Sequence, residues 1–141
     1  LPRDMAVSAE IDIYPLQKPD LAELIDGTIG SDSVFHETFG YYADGVGPRT
    51  ARLPASWQER AVMLKATAAT GGATALAPDI HDLGVAKLLA GRSKDLEWIQ
   101  AGLRTGLMTV QGMINLLDET DASEEERTLA LSRLHRMAHH E

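Results

Sequence analysis

Apolar and polar residues alternate through Ser8-Ala9-Glu10-Ile11-Asp12-Ile13-Tyr14-Pro15. In an extended chain Ile11 and Ile13 fall on one face, Glu10 and Asp12 on the other. The pattern predicts a strand over Ala9–Tyr14, stopped by Pro15. Pro19 suits the first turn of a helix running to Ile25, with Leu21, Leu24 and Ile25 as its apolar face. Asp26-Gly27 and Gly30-Ser31-Asp32-Ser33 carry turn chemistry. Val34–Phe39 reads as a short helix with Val34, Phe35 and Phe39 inward. Tyr41–Val46 reads as a strand, broken by Gly45, Gly47 and Pro48. A second short strand is predicted over Thr50–Leu53, then a turn at Pro54-Ala55-Ser56-Trp57. Ser56 and Glu59 have capping-box spacing. Arg60–Ala66 fits a strand better than a helix, Gly71-Gly72 is a hairpin-like break, and Ala73–Leu76 is one more strand.

The period changes in the second half. Asp79 can cap a helix over Ile80–Ala90, with Asp82 in its first turn and Gly91 at its end. Leu83, Ala86 and Ala90 share one face, and Val85, Leu88 and Leu89 another, so this helix is expected to be buried. Ser93 can cap a helix over Lys94–Arg104. Thr109–Leu117 places Val110, Met113, Ile114 and Leu117 on one stripe. Ser123 and Glu126 form a capping box before a last helix carrying Leu129, Leu131, Leu134 and Met137, which frays at His139-His140. Strands first and helices second is an α+β pattern, a small mixed sheet followed by a C-terminal helical bundle. The expected organisation is one domain over 1–141, mainly strands and loops over 1–77 and helical over 78–141.

The 141 residues include 21 acids and 13 bases, a formal charge of −8. Duplex nucleic acid calls for a basic footprint, so none is expected as a partner. A nucleotide arriving with its own metal ion remains compatible. The absence of cysteine excludes a disulfide framework and a thiolate zinc site. No apolar run approaches the roughly 20 residues that span a bilayer, and no signal-peptide pattern is present. The expected compartment is the cytoplasm, with no membrane partner. The chain opens on Leu1 rather than Met, and the strand follows almost at once, so a segment is expected upstream.

Glu10 and Asp12 are the first candidate for chemistry. Two carboxylates two residues apart on a strand can hold a hard divalent cation such as Mg²⁺. The plainer alternative is a half-buried strand with an acidic face, since acid-x-acid is a weak motif alone. The second candidate lies between His81 and Asp95. Lys87 sits in an apolar helix, so its ammonium either ends at a carboxylate or site or snorkels to water. Arg92 and Lys94 bracket a helix junction. Lys94-Asp95 can present a cation to phosphate where backbone N–H groups also suit anions; the alternative is a solvated helix start with a dipole-matched Asp95. His36-Glu37 suggests metal or general-base chemistry. It has no second His at i+4, which favours a hydrogen-bonded structural His. Of His135, His139 and His140, the last two read as a solvated tail. No nucleophile elbow, Walker loop or dinucleotide glycine pattern is present.

These residues also carry a resemblance. Ser8 to Pro15, the block Phe35-His36-Glu37-Thr38-Phe39-Gly40-Tyr41-Tyr42-Ala43-Asp44-Gly45-Val46, Leu53-Pro54-Ala55-Ser56-Trp57, and the stretch His81-Asp82-Leu83 through Lys94-Asp95 resemble a bacterial nucleotidyltransferase-like family of unassigned function. It is similar to the polymerase-beta-like nucleotidyltransferase superfamily, which includes antitoxin and abortive-infection enzymes. The resemblance covers most of residues 8–104. It implies a small mixed sheet with helices and Mg²⁺ held by Glu10 and Asp12. It also implies that Lys87, Arg92, Lys94 and Asp95 lie near a nucleoside triphosphate or brace the catalytic face. The superfamily's Gly-Ser element ahead of the acidic strand is absent. Its third carboxylate is not found in Arg60–Ala66, and Glu59 and Asp44 are the substitutes. The resemblance implies transfer of a nucleoside monophosphate to a protein, RNA or small-molecule acceptor. The alternative is a catalytically degenerate module that works by binding a protein partner, for example within a toxin–antitoxin system. Exposed helix faces on a small domain are compatible with a homodimer.

Overall fold

The computed structural model describes residues 1–6, 8, 10–47, 50, 52–64 and 73–139. In chain order these form α1 (Arg3–Ala6), β1 (Glu10–Ile13), α2 (Leu21–Ile29), α3 (Val34–Phe39), β2 (Tyr42–Gly45), α4 (Trp57–Arg60), β3 (Val62–Leu64), β4 (Ala75–Ala77), α5 (Ile80–Ala90), α6 (Ser93–Arg104), α7 (Val110–Leu117) and α8 (Glu124–Ala138). The fold class is α+β. The strands form two separate pairs, β1 parallel to β2 and β3 antiparallel to β4. The chain divides into two compact units, one of Leu1 and Ala6–Ala51, the other of Pro2–Met5 and Arg52–Glu141.

In the first unit a β-α-β crossover joins two parallel strands, the connection that parallel pairing requires. Helix α2 lies against β2. A Cβ on Gly45 would stand 2.1 Å from the Ala22 carbonyl oxygen, so only glycine lets helix and strand approach this closely. The Gly45 N–H donates to Asp26 Oδ1 at 2.6 Å, which ties the last turns of α2 to the strand. That bond explains why α2 continues to Ile29 through the expected Asp26-Gly27 turn. Ala43 and Val46 are buried here. Val34 and Phe39, expected inward, are 79% and 58% exposed. Phe35 is half-buried and packs its ring 4.8 Å from that of Phe39. A six-residue helix on a two-stranded sheet covers too little surface to bury a whole apolar stripe.

The second unit is built around α5–α8. Val85, Leu88, Ile99, Met113, Leu117, Ala130 and Leu134 are fully or almost fully buried and form one cluster. Each such side chain contributes on the order of 1.5–3 kcal/mol of burial. Met108 wedges between α5 and α6, and a Cβ on either Gly84 or Gly102 would collide with it. Methionine suits an irregular gap of this kind because its thioether chain is flexible. Leu129 of α8 is exposed; Ala130, Leu134 and Met137 hold the buried face of the helix. Asp79 caps α5 by accepting the His81 N–H at 3.1 Å, and Gly91 ends it in the left-handed region (φ 66°). Ser123 and Glu126 form the expected capping box.

Five local expectations change here. Ser56 does not cap α4: its hydroxyl donates to Glu119 and accepts from Arg60 Nη1 at 3.0 Å. Ser93 lies inside α6 and Arg92 takes the cap position, because Asp95 reaches back to accept the Arg92 N–H at 3.2 Å. Residues 52–54 are irregular rather than a strand, and Arg52 pairs with Glu126 at 2.6 Å. Among the described residues of the expected Arg60–Ala66 strand, Arg60 lies in α4 and Val62–Leu64 form β3, and Ala73–Leu76 shifts to β4. Pro48, Ala51, Lys65, Ala66, Gly71-Gly72 and His140 lie outside the described residues.

Asp82 is fully buried and receives Arg60 Nε at 3.0 Å and Nη2 at 2.6 Å, a two-point clamp between α4 and α5. Removing one partner of a buried pair strands the other charge. Arg60→Ala, which leaves the fully buried Asp82 carboxylate without its partner, is therefore expected to lower unfolding free energy by about 3 kcal/mol in urea denaturation. Arg52→Ala, which breaks a half-exposed pair, is expected to cost about 1 kcal/mol or less.

Candidate active site

Ser8 stands ahead of β1; its hydroxyl donates to the Glu10 carbonyl at 2.9 Å and accepts the Glu10 N–H at 3.1 Å. The parallel register pairs Glu10 with Tyr42, Ile11 with Ala43, Asp12 with Asp44 and Ile13 with Gly45. Register partners in a sheet share a face. Glu10, Asp12, Tyr42 and Asp44 therefore lie on one face, and Ile11, Ile13, Ala43 and Gly45 on the side where α2 meets β2. Of the two substitutes for a third carboxylate, Asp44 stands beside Asp12, whereas Glu59 belongs to α4 in the second unit.

The acidic face is supported from β2 and from the turn before α3. The Tyr42 hydroxyl donates to Glu10 Oε2 at 3.3 Å. The Ser31 N–H donates to Asp44 Oδ1 at 3.2 Å. Asp32, the next residue, adopts a left-handed conformation with φ 63° and donates its N–H to His36 Nδ1 at 3.0 Å. His36 thus carries its neutral-form proton on Nε2, and its ring centroid lies 4.5 Å from that of Tyr42. His36 is the hydrogen-bonded structural residue its context suggested. The Tyr42 phenol is pushed above its ordinary range, first by desolvation, then by the charge and hydrogen bond of Glu10, then by Asp44 and Asp12. All three carboxylates therefore act on one phenol. Among the described residues, no three His, Asp or Glu side chains converge as a ready-made metal cage. The donor set itself is hard carboxylate oxygen, the kind Mg²⁺ takes in ones and twos while keeping water or phosphate in its remaining positions.

The other sequence candidates belong to the second unit. Asp95 is 1% exposed and accepts from Arg92 Nε at 2.7 Å and Nη2 at 3.2 Å. Lys87 Nζ lies 3.6 Å from Asp95 Oδ1 and 5.1 Å from the centroid of the Trp98 ring. Of the two fates open to Lys87, the structure takes the carboxylate. Asp95 is thus an internal anion shared by two cations, and Lys94 is exposed beside it on the first turn of α6. Burial pushes the Asp95 carboxyl up, but hydrogen bonds from Arg92 and the charges of Arg92 and Lys87 outweigh it and hold the group below its usual range.

A family profile described as nucleotidyltransferase of unknown function (DUF6036) matches residues 1–138. The chain belongs to this family. No curated protein and no solved structure matches it. Among the described residues, no helix is long and apolar enough to cross a membrane. Membership agrees with the resemblance carried by the acidic strand and by the block from Phe35 to Val46. The supporting roles of Tyr42, Ser31 and Asp26 went unread in the sequence. Tyr42-Ala43-Asp44 does repeat the polar-apolar-polar alternation of Glu10-Ile11-Asp12, which was the available signal for two of these residues sharing a face.

Two titrations check this geometry. With Tyr14 and Tyr41 replaced by Phe, ultraviolet titration is expected to place Tyr42 ionisation above the ordinary phenol range. Glu10→Gln should bring it part of the way back, because desolvation persists. Asp95 makes the second test. Its folded-state carboxyl lies below the unfolded value, so its stabilisation is complete above roughly pH 4 and is lost as pH falls through the depressed folded value. Arg92→Ala is expected to shrink that acid-side loss, measured as unfolding free energy against pH.

Proposed function

We propose that this family member is a Mg²⁺-dependent nucleotidyltransferase. It transfers a nucleoside monophosphate from a nucleoside triphosphate to an acceptor hydroxyl, with Glu10 and Asp12 as the metal-holding acids and Asp44 beside them on the same face. The observation that carries this reading is the parallel register that puts Asp44 beside Asp12 on the face that also bears Glu10. A bound Mg²⁺ would neutralise phosphate charge and polarise the phosphoryl group being transferred. The chain's own groups prepare that role. The Tyr42 hydroxyl engages one oxygen of Glu10, and the Ser31 N–H engages one oxygen of Asp44, so each carboxylate is oriented before a cation arrives. In the reaction an acceptor oxygen forms a bond to the α-phosphorus and pyrophosphate leaves. Within the second unit, the chemistry best suited to phosphate is at the start of α6, where Asp95 braces Arg92 and Lys87 beside Lys94.

Calorimetry with Mn²⁺ alone, then with Mg²⁺ and each nucleoside triphosphate, tests the proposal. The wild type is expected to bind Mn²⁺ and to gain a Mg²⁺-dependent nucleotide affinity and rise in melting temperature. Glu10→Ala with Asp12→Ala should abolish both, and Asp44→Asn should weaken metal binding roughly tenfold, in line with loss of one outer-shell partner. Absence of any metal-dependent nucleotide binding would sink the enzyme reading. A stable complex with a protein partner under those conditions would favour a degenerate binding module, as in a toxin–antitoxin pair.

A further inference from the structure

His81 lies in the first turn of α5, outside the acidic face and outside the Asp95 cluster. Its Nε2 accepts the Thr109 N–H at 3.1 Å. Its Nδ1 stands 3.4 Å from Asp79 Oδ1, the same oxygen that accepts the His81 N–H. An imidazole nitrogen that accepts from a backbone N–H has no proton of its own, so neutral His81 carries its proton on Nδ1, toward Asp79. Thr109 is the cap residue of α7 and accepts the Gly112 N–H at 3.1 Å. A Cβ on Gly112 would stand 2.8 Å from His81 Cδ2, so the ring is wedged against the opening turn of α7.

We infer that His81 is a pH-sensitive latch that fixes the start of α7 when neutral and releases it when protonated. Protonation turns Nε2 into a donor facing the donor of Thr109, which removes the bond and sets two N–H groups against each other. The new charge also sits near the positive N-terminal ends of α5 and α7, where cations are unfavourable. Asp79 is the group that favours the charged ring, and it acts from the α5 side. Asp82, next in α5, is committed to Arg60. The first turn of α7 carries no acidic group, so nothing on that helix compensates for the lost bond. The His81 side chain is 25% exposed, enough for water to deliver the proton.

Amide exchange followed by NMR, corrected for the intrinsic effect of pH, tests the latch. On acidification from about pH 7.5 to about pH 5, Thr109 protection is expected to fall roughly tenfold, the scale of one net hydrogen bond. Residues 110–113 should follow. In His81→Gln the amide oxygen can accept the same N–H without titrating, so protection should stay nearly flat. In His81→Ala it should be low throughout. Imidazole ¹⁵N shifts of the wild type are expected to report the Nδ1–H form at neutral pH, a measurement that needs no variant. An Nε2–H form, unchanged Thr109 protection across the range, or His81→Gln titrating as the wild type does would each overturn the latch.

Discussion

The acidic face exists because β1 and β2 pair in parallel with one particular register. A slip of one residue would send Asp44 to the opposite face and bring Ala43 beside Asp12. The register also has an electrostatic cost, since like charges opposite one another destabilise a sheet. It is held by interactions on both sides of β2. Gly45 leaves room for the backbone of α2, and Asp26 takes the Gly45 N–H. Ser31 and Tyr42 donate to two of the carboxylates. A plain half-buried strand has no need of this arrangement. A site that gathers a divalent cation and phosphates needs several negative groups on one surface, held there before the ligand arrives.

The two units follow different physical logics. The second has a continuous apolar core, and its buried carboxylates are paired, Asp82 with Arg60 and Asp95 with Arg92 and Lys87. The first buries few large side chains and leaves Ile11, Leu24, Val34 and Phe39 largely exposed. Its order depends more on directional bonds: the Asp26 clamp, the Ser33 cap on α3 and the turn that holds Asp32 in a left-handed conformation. Directional bonds fix geometry with little apolar burial, which suits a unit with so small a core.

Much of the helical half was legible from local pattern. The caps at Asp79 and Ser123 and the glycine stop at Gly91 depend on residues within one turn of the helix end, so spacing suffices to read them. The misreadings at Ser56, Ser93 and Asp26 have two causes. Each looked like a local capping or turn residue. Ser56 and Asp26 were drawn off by partners distant in sequence, Glu119 and Gly45, and Asp95 did the capping expected of Ser93. Burial at Val34 and Phe39 on the short helix α3 was misread because periodicity identifies an apolar stripe without saying whether anything covers it.

The sequence by itself determined the α+β order of elements, the alternation that puts Glu10 and Asp12 on one side of a strand, and the family to which the chain belongs. These rest on neighbouring residues and on whole blocks of sequence. Only the tertiary structure decided that Asp44 joins those two acids, that Tyr42 and Ser31 orient them, and that Lys87 ends on Asp95 rather than in water. Asp12 and Asp44 are 32 positions apart. Their meeting depends on a crossover helix of the right length and a glycine that lets it pack, and periodicity along a single strand carries no information about either.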